Sequence, residues 1–139
     1  MTNSEQIYRG INTWINHKVD ELIGENVWMA LASGTIKRVA NEFVNTMVPS
    51  NILELMLSNH GVIDADVFAR EMIGALNNVP DMTQELGAGI ALRLSKGTVS
   101  IELPSNSIVK ALLNGDNVIN FREPDIRELA QYINQAKNE

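Results

Sequence analysis

The spacing of apolar residues changes from every third or fourth position to every second one shortly after Gly87, and no other feature restricts the fold of this chain as strongly. From Gly89 to Pro104 the run GIALRLSKGTVSIELP alternates around a central Lys96-Gly97 pair, which is the sequence form of a hairpin closed by a two-residue loop. With those two residues as the loop, Ser95 faces Thr98. Leu94/Val99, Leu92/Ile101 and Ile90/Leu103 then fall on one face, and Arg93 lies diagonally from Glu102 on the other. A hairpin alone is marginal in water, so helices must cover its apolar face.

Those helices are legible on both sides of it. Thr2 or Asn3, with Glu5 or Gln6 three residues on, forms a capping box. Ile7, Ile11, Trp14, Ile15, Val19 and Leu22, flanked by Tyr8, then recur at helical spacing up to Gly24. Asn26 caps a short apolar turn, VWMALAS. After Gly34 a second amphipathic stretch runs through Ile36, Val39, Ala40, Phe43, Val44 and Met47 to a stop at Pro49. Ser50 or Asn51 opens a third helix, and a fourth, from about Ala65 to Asn78, presents Val67, Phe68, Met72, Ile73 and Leu76 before Pro80. DMTQEL, from Asp81 to Leu86, reads as one more capped turn, stopped by Gly87. Beyond the hairpin, Ser105 caps a short helix ending at Gly115, NVINF adds a third strand, and Pro124 sits in the first turn of a closing helix that aligns Ile126, Leu129, Ala130 and Ile133.

The order of elements predicts an α+β fold in one domain spanning 1–139: a helical N-terminal half, about 1–86, packed against a small antiparallel β-hairpin or three-stranded sheet with a C-terminal helix, about 87–139. At 139 residues and 45% hydrophobic content the chain is long enough to bury a core.

Charge and residue usage narrow the function classes. Eleven basic against seventeen acidic residues give a net charge of −6, which opposes the phosphate contacts behind most nucleic-acid affinity. The acids are scattered, whereas a surrogate for the DNA backbone would carry them densely. With no cysteine there are no disulfides, thiolate nucleophiles or thiolate metal sites. The chain lacks both an apolar run long enough to span a bilayer and a signal-like start, so the expected location is the cytoplasm, with no membrane partner.

One stretch, LSNHGVIDADVF from Leu57 to Phe68, has the outline of an EF-hand. With Gly61 as the sixth loop position, the first falls on Met56, the third on Ser58, the fifth on His60 and the twelfth on Val67, so most of the oxygens calcium needs are missing. The better reading is helix, turn, helix, with Gly61 as the turn and Asp64 as the next cap; Asn59, His60, Asp64 and Asp66 form only a weak set for another metal. His17, the other histidine, has no nucleophile at a productive spacing. The carboxylate pairs Asp64/Asp66 and Asp125/Glu128 each open a helix, where negative charge is favoured anyway. In ELGAGIAL the glycines precede a strand, the reverse of a phosphate-binding loop. No catalytic, cofactor or metal residues are assigned, and the expected class is non-enzymatic.

The surplus of apolar residues from Val27 to Met47 carries the functional expectation. Trp28, Met29, Phe43 and Met47 are candidate interface residues, because aromatic residues and methionine are enriched at contact surfaces. This predicts a protein-interaction or homo-oligomerising protein. The alternative is a small-ligand binder, for instance of a nucleotide-like signal, with Arg93 and Lys96 as candidate contacts. In their order GVIDADVFAREMI, GAGIALRL, VSIELP and VINFREPDIREL resemble small uncharacterised accessory proteins encoded by bacteriophages. The resemblance covers roughly the last 80 residues and implies an accessory protein that acts by binding in an infected cell; it carries no functional residues across.

Overall fold

The computed structural model describes residues 1–23, 27–87, 90–96, 98–102 and 118–137, with the backbone alone at 22–23, 27–32, 86–87, 90, 101 and 118–121. In chain order these form α1 (Asn3–Ile23), α2 (Val27–Met47), α3 (Ser50–His60), α4 (Ala65–Asn77), β1 (Met82–Gly87), β2 (Ile90–Ser95), β3 (Thr98–Glu102), β4 (Val118–Phe121) and α5 (Glu123–Ala136). The class is α+β, as the patterning predicts.

α1 is central. Ile7, Ile11, Trp14, Ile15 and Val19 are all buried on one of its faces, while Tyr8 stands more than half exposed beside that stripe. The capping box resolves onto Thr2 and Glu5, because the Glu5 amide donates to Thr2 Oγ1 at 3.1 Å and the Thr2 amide to Glu5. α1 packs against α2, α3 and, most extensively, α5. Gly10 permits that last approach, since a Cβ there would stand 2.4 Å from the Ile133 Cα. Next to this crossing the buried Gln6 side chain donates to the Ile133 carbonyl at 2.9 Å, which satisfies an amide that would be costly to leave unpaired.

Gly34 does not divide α2. It is exposed inside one continuous helix, with nothing within 4 Å of where a Cβ would be. A helical glycine costs about 1 kcal/mol relative to alanine, and burial of Ile36, Ala40 and Val44 along the same helix outweighs that.

The turn from Gly61 to Asp64 does what the helix-turn-helix reading requires. Gly61, at φ 74°, is the left-handed end of α3 and donates its amide to the Leu57 carbonyl. The Asp64 carboxylate accepts from the Asp66 and Val67 amides at the start of α4. The Asn134 side chain accepts from the Ile63 amide at 2.7 Å and donates to the Ile63 carbonyl at 3.0 Å, so α5 holds the turn in place.

The sheet is an antiparallel meander of order β1-β2-β3-β4. Ser95 pairs with Thr98, Leu94 with Val99 and Leu92 with Ile101, the register predicted from the alternation, and Arg93 meets Glu102 at 3.0 Å. Leu103, Gly97 and the helix expected from Ser105 to Gly115 lie outside the described residues.

The sheet has one strand more than expected. DMTQEL is not a capped turn: Met82–Gly87 is a strand paired antiparallel with β2, Met82 opposite Leu94 and Gln84 opposite Leu92, with a bulge between Glu85 and Gly87. Asp81 caps no helix. It accepts instead from the Lys96 amide in the hairpin turn, at 3.0 Å.

Candidate functional site: a groove between α2 and the edge strand

Residues of α2 four apart stack in rows along the helix. Ile36, Ala40, Val44 and, just past its end, Val48 are buried in the core. Val39, Phe43 and Met47 form the next row and are only partly buried. Arg38, Glu42 and Thr46 form the outermost row, exposed to solvent. The half-buried row faces the sheet where its cover runs out.

On the sheet side, Leu92 and Leu94 are 3% and 2% exposed. Their cross-strand partners on β1, Gln84 and Met82, lie on the same face, because directly opposed residues in an antiparallel pair point the same way. Both are exposed, Met82 at 46%. The four strands are therefore wider than their helical cover, and an open groove of about 510 Å³ runs along the uncovered strip. Leu92 and Leu94 form its floor, Val39, Phe43 and Met47 one wall, and Met82 and Gln84 the other. Arg38, Glu42 and Thr46 line its polar rim. Among the described residues β1 pairs only with β2, so its outer backbone edge borders the groove.

Phe43 and Met47, two of the candidate interface residues, are thus brought together with Met82. The side chains of Trp28 and Met29 lie outside the described residues. Arg93 and Lys96 are elsewhere: Arg93 is engaged by Glu102, and Lys96 sits in the hairpin turn at φ 50°. Neither lines the groove. Met82, Gln84 and Arg38 are the residues that sequence reasoning missed. The available signal was the weak alternation of Met82, Gln84 and Leu86, which the cap-like Asp81 overrode.

The carboxylates weighed for acid–base work have structural partners. Lys18, on α1, meets Asp125 at 2.8 Å and Glu128 at 3.3 Å on α5. Burial opposes the Lys18 charge, but the hydrogen bonds and charges of Asp125 and Glu128 together outweigh it and hold its pKa above the ordinary lysine value. Asp125 also accepts from the Arg122 amide at the start of α5. Asp66 pairs with Arg127, which reaches Glu123 as well. His17 lies 3.0 Å from Glu21 on the exposed side of α1, with its ring 5.8 Å from that of Tyr132. Among the described residues no group of three or more histidines and acids is placed to hold a metal ion, and no helix is long and apolar enough to cross a membrane.

No family model, curated protein or solved structure matches the chain. The geometry alone therefore supplies the functional argument. The groove offers an apolar floor, a polar rim bearing one charge of each sign, and an edge strand that, among the described residues, pairs on one side only. That combination binds polypeptide surfaces by shape, desolvation and main-chain pairing.

Proposed function

We propose that this protein is a non-enzymatic protein-interaction module whose contact surface is the groove between α2 and β1. The observation that carries the reading is the half-exposed Met82 facing the half-buried Phe43 and Met47 across a floor of buried leucines. Protein contacts are built this way, with a desolvated apolar centre rich in aromatic residues and methionine inside a polar ring. Methionine suits a surface that must adapt its shape to a partner.

A photoreactive amino acid at position 82 tests it. Incorporated into the full chain in cells, it should crosslink one defined protein, and Thr46→Arg on the opposite rim should suppress that product while the circular dichroism spectrum stays unchanged. The same probe at Glu71 on α4 serves as the background. A position-82 crosslinking pattern no different from that at Glu71 would refute the groove as the contact surface.

A further inference from the structure

Resting on the groove as a protein contact, we infer that the partner lays an extended segment along β1 as an added strand of the sheet, with apolar residues on the groove face and a lysine or arginine opposite Glu85.

The phase of the hydrogen-bond ladder decides which backbone groups of β1 point outward. Ser95 and Thr98 close a two-residue hairpin loop in which Lys96 sits at φ 50°, and the pair that closes such a loop exchanges both of its backbone hydrogen bonds. Bonded and non-bonded pairs alternate from there. Ser95, Arg93 and Ala91 therefore bond to β3, whereas Leu94 and Leu92 turn their amides and carbonyls toward β1, where their partners are Met82 and Gln84. Thr83 and Glu85 alternate with these and direct their own amides and carbonyls away from the sheet. Among the described residues no strand pairs with that side of β1. An extended segment satisfies these groups in register; a helix, whose backbone groups bond within itself, does not.

The side chains of β1 set the chemistry of that segment. Residues opposite one another on paired strands share a face, so partner residues opposite Met82 and Gln84 stand on the groove face, beside a Met82 that is 46% exposed. Apolar side chains there complete its burial. Partner residues opposite Thr83 and Glu85 stand on the other face. Glu85 is exposed and, among the described residues, forms no ion pair; Arg93, the one cation of β2, is held by Glu102 at 3.0 Å. A cation opposite Glu85 meets an unengaged carboxylate, and opposite charges across a strand pair stabilise it. A second copy of β1 cannot supply that cation, because Met82–Gly87 contains no lysine or arginine. The net charge of −6 likewise favours a basic partner over another copy of this chain. The occupant is thus a strand of a different protein that alternates apolar and basic residues.

Hydrogen exchange of the full chain, read amide by amide by NMR, tests this with a capped octapeptide of alternating valine and lysine as the probe. In the free protein the Thr83 and Glu85 amides should exchange faster than those of Met82 and Gln84. The peptide should slow them, and Glu85→Gln should weaken that protection where Glu71→Gln on α4 does not. A block octapeptide of the same composition, all valines before all lysines, should leave them fast. In cells, Thr83→Pro removes only an outward amide and should abolish the crosslinked product of position 82, while Thr83→Val keeps that amide and should retain the product. Equal exchange of these amides in the free protein, no greater protection by the alternating than by the block peptide, or a position-82 product that survives Thr83→Pro in a folded chain would each overturn the added strand. Survival of that product leaves the groove standing as the contact, whereas absence of any specific product at position 82 overturns both.

Discussion

Replacing Gly10 with alanine puts the central helix crossing to the test. The added methyl would meet the Ile133 Cα at 2.4 Å, its Cγ1 at 2.6 Å and its amide nitrogen at 2.8 Å, where ordinary contact begins at 3.4 Å. Two of those atoms are backbone, so no rotamer change relieves the clash and α1 and α5 must separate by roughly 1 Å in a closely packed interior. Separation lengthens the 2.9 Å bond from Gln6 to the Ile133 carbonyl and loosens the packing of Ala130 and Ile133. Overpacking typically costs 1–3 kcal/mol, and a backbone clash belongs at the upper end; the better helix propensity of alanine returns about 1 kcal/mol. The net expectation is a loss of about 2 kcal/mol, or about 8 °C in Tm for a chain of this length. Gly34→Ala and Gly74→Ala are the matched controls, because nothing lies within 4 Å of either Cβ position. Each should gain up to about 1 kcal/mol from propensity alone. Urea unfolding of the three variants separates the effects, and a Gly10→Ala protein as stable as the controls would show that α1 and α5 do not cross as described.

Two other changes probe the same interface. Asn134→Ala should leave the Ile63 amide and carbonyl without their side-chain partner, costing about 1–3 kcal/mol; hydrogen exchange at the Ile63 amide should accelerate, and unchanged exchange there would refute the staple. Lys18→Met bears on alkaline stability. The folded pKa of Lys18 lies above its unfolded value, so its contribution is fully present below the unfolded pKa, near 10.5, and is lost as pH rises through the folded one. Wild-type stability should therefore fall more steeply than that of Lys18→Met above about pH 10, and parallel alkaline unfolding curves would contradict the pairing with Asp125 and Glu128.

The parts of this fold legible in the sequence are those where one local signal had no competitor. The hairpin register followed from strict alternation about Lys96-Gly97, and Arg93 met Glu102 as the pairing required. The Gly61 turn and the Asp64 cap were readable because a left-handed residue and a side-chain acceptor are needs of the backbone itself. Competing signals produced the errors. Gly34 read as a boundary because an isolated glycine weakens a helix, yet the backbone runs helical through it from Val27 to Met47. Asp81, with Gln84 three residues later, matched a helix cap, but its acceptor serves the Lys96 amide, a partner fifteen positions away that no local pattern reveals. Gly10 gave no hint of its role, since the atoms it admits belong to Ile133 at the other end of the chain.

The misread strand and the candidate site have one origin. A sheet of three strands would end at β2, leaving Phe43 and Met47 with no opposite wall. Adding β1 widens the sheet beyond the reach of α2 and turns a row of half-buried side chains into one side of a groove. β1 carries few apolar residues because its groove face is left open to solvent, so the alternation that made β2 and β3 obvious is diluted in it. Its place in the sheet depends on backbone pairing with β2 and on the Asp81 bond to the hairpin turn. Local preference and global structure conflict at this strand alone in the sheet, and such conflicts concentrate where a fold gives up internal consistency for a surface it presents to something else. The weak strand signal from Met82 to Glu85 is thus the sequence trace of the groove.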